Sequence, residues 1–130
     1  MPLDLQKEAP DLAAIPGGAT GQVVHTYEIP KRSRRPGQPT KVGMVELTAK
    51  DELLASKLGG DDLRAVQFEA AKRAVRFLDG KRTTSDAVDE WWDACGSPVR
   101  ALVMTAYARL SSPAEGDADV FLQSVEVSTL

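Results

Sequence analysis

The stretch EIPKRSRRPGQPTKVGMVELT, residues 28–48, decides how the first part of the chain folds. It links two segments rich in β-branched and aromatic residues, VVHTYEI at residues 23–29 and VGMVELT at residues 42–48. Such segments are typical of β-strands, and the residues between them are too many for a tight turn, with a bend expected at Pro36-Gly37. The sequence therefore predicts a β-hairpin over residues 22–48 whose strands are joined by a long loop, residues 30–41.

This loop, called the basic loop below, carries a concentrated positive charge. The chain has a formal net charge of −3, yet five of its 16 lysines and arginines belong to the loop: Lys31, Arg32, Arg34, Arg35 and Lys41. A chain that is acidic elsewhere lacks the broad basic surface of a general nucleic-acid-binding protein, and no aromatic residues are interleaved with these charges to stack on bases. A solvated tip, a nucleic-acid contact and a docking site for an acidic protein remain open, and the pattern disfavours nucleic acid.

After residue 48 the pattern becomes helical. Thr48 and Asp51 predict an N-cap for AKDELLASKL, and glycines 59 and 60 predict its end. Apolar residues at helical spacing predict a second helix within residues 61–80, and cap signals predict three more, beginning at Ser85, Ser97 and Ser112. We therefore predict one α+β domain, mainly α, with about five short helices in residues 49–130 after the hairpin. Residues 1–21, rich in proline and glycine, are expected to form an extended, flexible arm.

Large apolar residues on these helices are the expected core. The residues predicted to contribute are Phe68, Phe77, Leu78, Leu102, Val103, Tyr107 and Phe121.

The composition limits the compartment and the class of protein. Cys95 is the only cysteine, which excludes an internal disulfide and a thiolate-rich metal site and favours a reducing environment. No stretch approaches the roughly 18 apolar residues of a membrane span. Charged residues near the amino end, among them Asp4 and Lys7, argue against a signal peptide. The expectation is a cytoplasmic protein with no membrane association.

The residues that carry most catalytic chemistry are scarce. His25 is the only histidine, so a serine-histidine-aspartate triad and a two-histidine metal site are excluded. Four acids between residues 86 and 93 have helical spacing, unlike the alternating ligands of a calcium loop, and predict a solvated face. We expect no enzyme activity, cofactor or metal.

Trp91 and Trp92 are neighbours in the third predicted helix. Adjacent helical side chains point about 100° apart, so we expect one tryptophan in the core and the other exposed as an anchor for a partner. The predicted partner-binding residues are therefore Lys31, Arg32, Arg34, Arg35, Lys41, Trp91 and Trp92.

The order of the segments carries a family resemblance over residues 23–127. Its parts are a hairpin running into VELTAKDELLASKL, then AVQFEAAKRAVRFLDGK, an acidic helix with tryptophans, SPVRALVMTAYARLSSP, and a closing FLQSVEV. Together they resemble the small tail assembly chaperones of long-tailed bacteriophages and related injection particles. The resemblance implies a non-catalytic protein of the host cytoplasm that binds the tape-measure protein, or its complex with the baseplate hub, until tube subunits polymerise around it.

Two other functions stay open at this point. The arm of residues 1–21 is longer than the family pattern needs, which suggests a structural subunit retained in the tail, baseplate or injection particle. The basic loop suggests a small nucleic-acid-binding protein as a further alternative. Self-association is compatible with each of these.

Overall fold

The computed structural model describes residues 22–128. The fold is α+β with helices predominating, as the sequence predicts: five helices accompany a four-stranded antiparallel sheet of order β1-β2-β3-β4. The strands are β1 His25–Glu28, β2 Lys41–Met44, β3 Val75–Leu78 and β4 Lys81–Arg82. The helices are α1 Ala49–Gly59, α2 Leu63–Ala74, α3 Ser85–Ala94, α4 Ser97–Leu110 and α5 Asp117–Gln123. The predicted arm, residues 1–21, lies outside the described residues.

The predicted hairpin is present but its strands are shorter than expected. β1 pairs with β2 antiparallel, with His25 opposite Met44 and Glu28 opposite Lys41. The chain passes from β2 through residues 45–47 to Thr48, whose hydroxyl accepts a hydrogen bond from the amide of Asp51 at 3.2 Å and caps α1 as predicted.

The second helix is shorter than predicted, because its last part is a strand. α2 ends at Ala74, and Val75–Leu78 forms β3, which pairs antiparallel with β2. Asp79 and Gly80 then turn the chain into β4 with φ values of 54° and 79°. Positive φ at both central residues characterises the two-residue hairpin turn that Asp-Gly favours. The expectation of helix up to residue 80 was wrong. Residues 75–78 at the end of the helical pattern also have the alternation of a strand, and they pair with the edge of β2 that β1 does not occupy.

The later helices begin close to the predicted places. Thr84, and not Ser85, caps α3 by accepting from the amide of Ala87 at 3.2 Å. α4 begins at Ser97 after Gly96, with a proline in its first turn. α5 begins only at Asp117 after Gly116, so the predicted start at Ser112 was wrong.

The core lies where α2, α3 and α4 meet the sheet. Its buried side chains are Ile29, Val42, Met44, Ala71, Ala74, Val75, Val88, Trp91, Trp92, Cys95, Val99, Val103 and Ala106. The prediction for Val103 is confirmed, and Phe68, Leu78 and Tyr107 are partly buried against this cluster. Leu102 and Phe121 are exposed instead, by 42% and 77%. Leu102 borders a groove described below, and every residue of α5 is exposed.

None of the helices within residues 22–128 combines the length and the apolar character needed to cross a bilayer.

Candidate partner-binding surface

The basic loop is folded onto the body of the protein. Lys31–Ser33 forms one 3-10 turn, in which the amide of Ser33 donates to the carbonyl of Pro30 at 2.9 Å. At the base of the loop, the amide of Ile29 donates to the carbonyl of Thr40 at 2.8 Å. These backbone hydrogen bonds give the loop a defined shape, so its charges have defined positions.

Two of the five loop cations serve the fold itself. Arg34 donates from Nε to the carbonyl of Ile29 at 2.7 Å, and its Nη2 lies 3.4 Å from the carboxylate of Glu28. Arg35 lies against Gly96, where a Cβ atom would come within 2.7 Å of its Nη2. Glycine at position 96 therefore leaves the space that this guanidinium occupies.

Four of the five cations face solvent. Lys31, Arg32, Arg35 and Lys41 are exposed, and only Arg34 is half-buried. We call these four the outward cations; Arg34 and Arg35 make the contacts with the rest of the fold given above.

Asp79 holds the far end of the basic loop and was missed by sequence reasoning. Its Oδ1 accepts from the amide of Thr40 at 2.8 Å, from the amide of Lys41 at 3.1 Å and from the Thr40 hydroxyl at 3.2 Å. The hydrogen bond from the Thr40 amide, with those from Lys41 and the hydroxyl, lowers the pKa of the Asp79 carboxyl below its ordinary value of 3.8. The signal was the Asp79-Gly80 dipeptide, which marks a turn that brings this carboxylate beside β2.

Both tryptophans are buried, so the expectation of an exposed tryptophan anchor was wrong. Trp91 and Trp92 are 5% and 4% exposed. α3 is covered from two directions, which allows neighbouring side chains to be buried together. Trp91 lies under the basic loop, where it lines a cavity of only about 10 Å³ with Arg35. Trp92 packs edge-on against Phe68 with ring centroids 5.5 Å apart.

Trp91 and the basic loop are therefore neighbours, although not as two exposed contact points. The indole supports the loop from beneath, and a partner would meet the loop and not the ring.

An apolar groove lies beside the basic loop, between β1 and α4. We call it the β1–α4 groove; it encloses about 250 Å³ and is lined by Tyr27, Glu28, Ile29, Pro30, Val42, Met44, Val99, Leu102, Val103, Thr105, Ala106 and Arg109. Two of these residues are charged, Glu28 and Arg109, and most of the others are apolar. Pro30 is also the first residue of the basic loop, so the groove opens directly next to the outward cations.

The β1 strand forms the outer wall of this groove and is the edge of the sheet, because it pairs only with β2 among the described strands. An edge strand presents backbone amides and carbonyls that can pair with another chain. The arrangement thus offers backbone hydrogen bonds, an apolar floor and nearby positive charge in one place. Alternating side chains on β1 and helical spacing on α4 were the sequence signals, but only the packing of the two elements makes them a groove.

A second, polar cavity of about 350 Å³ beside α2 is lined by six charged residues, most of which form ion pairs. Lys72 Nζ lies 2.9 Å from Asp89 and 3.0 Å from Glu69, and Arg76 lies 3.3 Å from Asp51. Burial lowers the pKa of Lys72, but its hydrogen bonds to Asp89 and Glu69 outweigh burial and raise it. The Lys72–Asp89 pair joins α2 to α3 and the Arg76–Asp51 pair joins β3 to α1, so the cavity is better explained as a structural network than as a ligand site.

The groups considered for chemistry are dispersed. His25 lies on β1, half-buried, and Cys95 is buried at the end of α3. Burial raises the pKa of the Cys95 thiol, which keeps it protonated and unreactive. Within residues 22–128, no three histidine, cysteine or acidic side chains are grouped so as to hold a metal ion.

Comparison with known proteins finds no match to any family model, curated protein or solved structure. The resemblance to tail assembly chaperones accordingly stays a prediction from the sequence.

Proposed function

We propose that this protein is a non-catalytic tail assembly chaperone that binds an amphipathic segment of the tape-measure protein through the β1–α4 groove and the basic loop. The observation that carries the proposal is the opening of an apolar groove directly beside the four outward cations of the basic loop. The family resemblance of residues 23–127 supplies the identity of the partner.

The groove supplies the apolar part of the interaction. Leu102 at its margin is 42% exposed, whereas Met44 beneath it is 1% exposed, so the groove has a firm floor and an accessible wall. Apolar side chains of a partner would be removed from water here, which contributes about 25 cal/mol per Å² of buried apolar surface. A tape-measure helix kept from aggregation needs this kind of cover for its apolar stripe.

The basic loop supplies orientation. Lys31 and Arg32 are exposed on a 3-10 turn that follows Pro30, the residue shared with the groove. A partner with acidic residues beside its apolar stripe would be attracted to this side and set in register. Because Arg34 and Asp79 hold the loop in shape before binding, little conformational entropy remains to be lost on association.

Co-expression with the tape-measure protein tests the proposal. We expect the tape-measure protein to become soluble and to co-purify with this chain. Leu102→Asp should weaken the complex by about 30-fold or more, as loss of a binding hot spot of about 2 kcal/mol does. Leu53→Asp is the matched control, since Leu53 is 65% exposed on α1 away from the groove.

The charges are tested separately. Lys31→Glu with Arg32→Glu should slow association and reduce the salt dependence of binding, because exposed interfacial charges act mainly on the association rate. Lys50→Glu with Lys57→Glu makes the same change of charge on exposed residues of α1 and should leave binding unchanged. If the two proteins migrate independently when co-expressed, the proposal is wrong. If this chain is found at fixed copy number in purified particles, it is a retained subunit and not a chaperone.

A further inference from the structure

The last helix leaves its apolar side chains in water. All seven residues of α5 are exposed, and Val120, Phe121 and Leu122 have exposures of 67%, 77% and 66%. Large apolar residues that are contiguous and exposed mark interaction surfaces. α5 therefore has the character of a helix that packs against a surface which residues 22–128 of its own copy do not supply.

The side chains of α5 are arranged as an apolar stripe between two acids. At about 100° per residue, Ala118, Phe121 and Leu122 share one face, and Asp117 and Asp119 fall on its two margins. The helix DADVFLQ contains no lysine or arginine. Its complement is an apolar groove with a positive charge on each side.

A groove of this description exists between α2 and α4. The α2–α4 groove is open and wide, about 1040 Å³, and is lined by Leu63, Arg64, Gln67, Phe68, Ser97, Pro98, Arg100, Ala101 and Met104. Phe68, Ala101 and Met104 supply apolar surface. Arg64 stands on the α2 side, 5.5 Å from the centroid of the Phe68 ring, and Arg100 stands on the α4 side.

The charges distinguish this groove from the β1–α4 groove. No carboxylate is among the residues that line the α2–α4 groove, whereas Glu28 lines the other one. An acidic helix is therefore attracted to the lining of the α2–α4 groove, which carries two arginines, whereas the lining of the β1–α4 groove carries one charge of each sign, Glu28 and Arg109.

We propose that this protein forms a symmetric dimer in which α5 of each copy lies in the α2–α4 groove of the other. Phe121 and Leu122 cover Phe68 and Met104 of the second copy, and the two acids of α5 meet its two groove arginines. The first turns of α4 line the groove, whereas α5 follows the last turn of α4. The α5 of the same copy therefore begins beyond the opposite end of α4, so a second copy is better placed to supply the helix that fills the groove. Because each copy inserts its α5 into the groove of the other, the two contacts are equivalent and no further copy can be added. The apolar faces of both α5 helices are then buried. This inference is independent of the proposed function.

Sedimentation of the full chain tests the dimer. The wild type should sediment with twice the chain mass of 14.0 kDa at micromolar concentration. Phe121→Asp removes the apolar contact at an exposed position and should shift the protein to the monomer mass. Arg64→Glu with Ala101→Asp, both exposed groove positions, should do the same. Val23→Asp, at a residue 64% exposed on another part of the molecule, should leave the dimer intact.

Mixing the two monomeric variants gives the sharper result. The Phe121→Asp protein keeps a working groove, and the groove variant keeps a working α5, so one intact contact should re-form and restore a heterodimer. A monomeric wild type, a dimer that survives Phe121→Asp, or a mixture that stays monomeric would each overturn the proposal. Far-ultraviolet circular dichroism of each variant establishes that it is folded.

Discussion

At the scale of single residues, Asp79 does more than its place in a turn suggests. It adopts a positive φ of 54° before Gly80, and its carboxylate receives three hydrogen bonds from Thr40 and Lys41. One side chain thus joins the β3–β4 turn to the end of the basic loop. The loop is held in shape through this contact at one end and through Arg34 at the other.

Asp79→Asn should make the stability of the protein less dependent on pH. Asparagine suits the same turn but lacks the charge. The folded-state pKa of Asp79 is lowered from 3.8, so its stabilisation is fully present above that value and is lost as the pH falls through the lower folded-state pKa. Urea midpoints should show the wild type more stable near neutral pH and the difference vanishing in acid.

Asp61→Asn, at an exposed carboxylate in the turn between α1 and α2, is the control for this substitution. If the difference in urea midpoint between the wild type and Asp79→Asn is the same at neutral and acidic pH, the carboxylate does not have the stabilising role described here.

The tryptophans show why single residues were the harder part of the prediction. The angle between adjacent helical side chains is correct, but it excludes shared burial only if a helix is covered on one side. α3 is covered by the basic loop over Trp91 and by α2 at Trp92. Burial of α3 on a second side results from tertiary packing, and the residues within α3 do not predict it.

At the scale of elements, α1 is tied to α2 by a close approach at Gly59. A Cβ atom there would lie 2.5 Å from the backbone nitrogen of Val66 and 2.6 Å from its Cα. Backbone atoms cannot rotate away as a flexible side chain does. The chain therefore needs glycine at this position in order to fold α1 back along α2.

Gly59→Ala should destabilise the protein, although alanine is the better helix former by about 1 kcal/mol. The steric clash forces α1 away from α2 and should cost about 1 to 3 kcal/mol, as overpacking typically does. Chemical denaturation measures this change. Ser56→Ala, exposed on the same helix, should be neutral or slightly stabilising. An alanine at 59 that leaves stability unchanged would show that the two helices do not meet as described.

Elements marked by local signals could be predicted, and those decided by long-range contact could not. The cap at Thr48 and the hairpin follow from neighbouring residues, and both are confirmed. β3 could not be separated from the end of α2, because Ala70, Ala74 and Phe77 continue a helical face, whereas Val75 and Phe77 alternate as a strand does. α5 has a core-like pattern and was expected to pack, yet no other element of the described chain covers it.

At the scale of the whole molecule, the two grooves lie on different sides of α4. The β1–α4 groove adjoins the basic loop, and the α2–α4 groove has the two arginines. The charges of the loop could be read from the sequence, but neither groove could, because each needs two elements distant in the chain. The two proposed interactions, with a partner on one side of α4 and with a second copy on the other, are therefore sterically compatible.

Hydrogen exchange with and without a bound tape-measure segment tests the central claim most directly. Binding in the β1–α4 groove should slow exchange at His25–Glu28, the edge strand, and at residues 29–35, which begin the basic loop. Exchange in α1 should be unchanged and serves as the internal reference. If bound tape-measure protein slows exchange in α1 and leaves β1 and the loop unaffected, the groove is not the partner-binding surface.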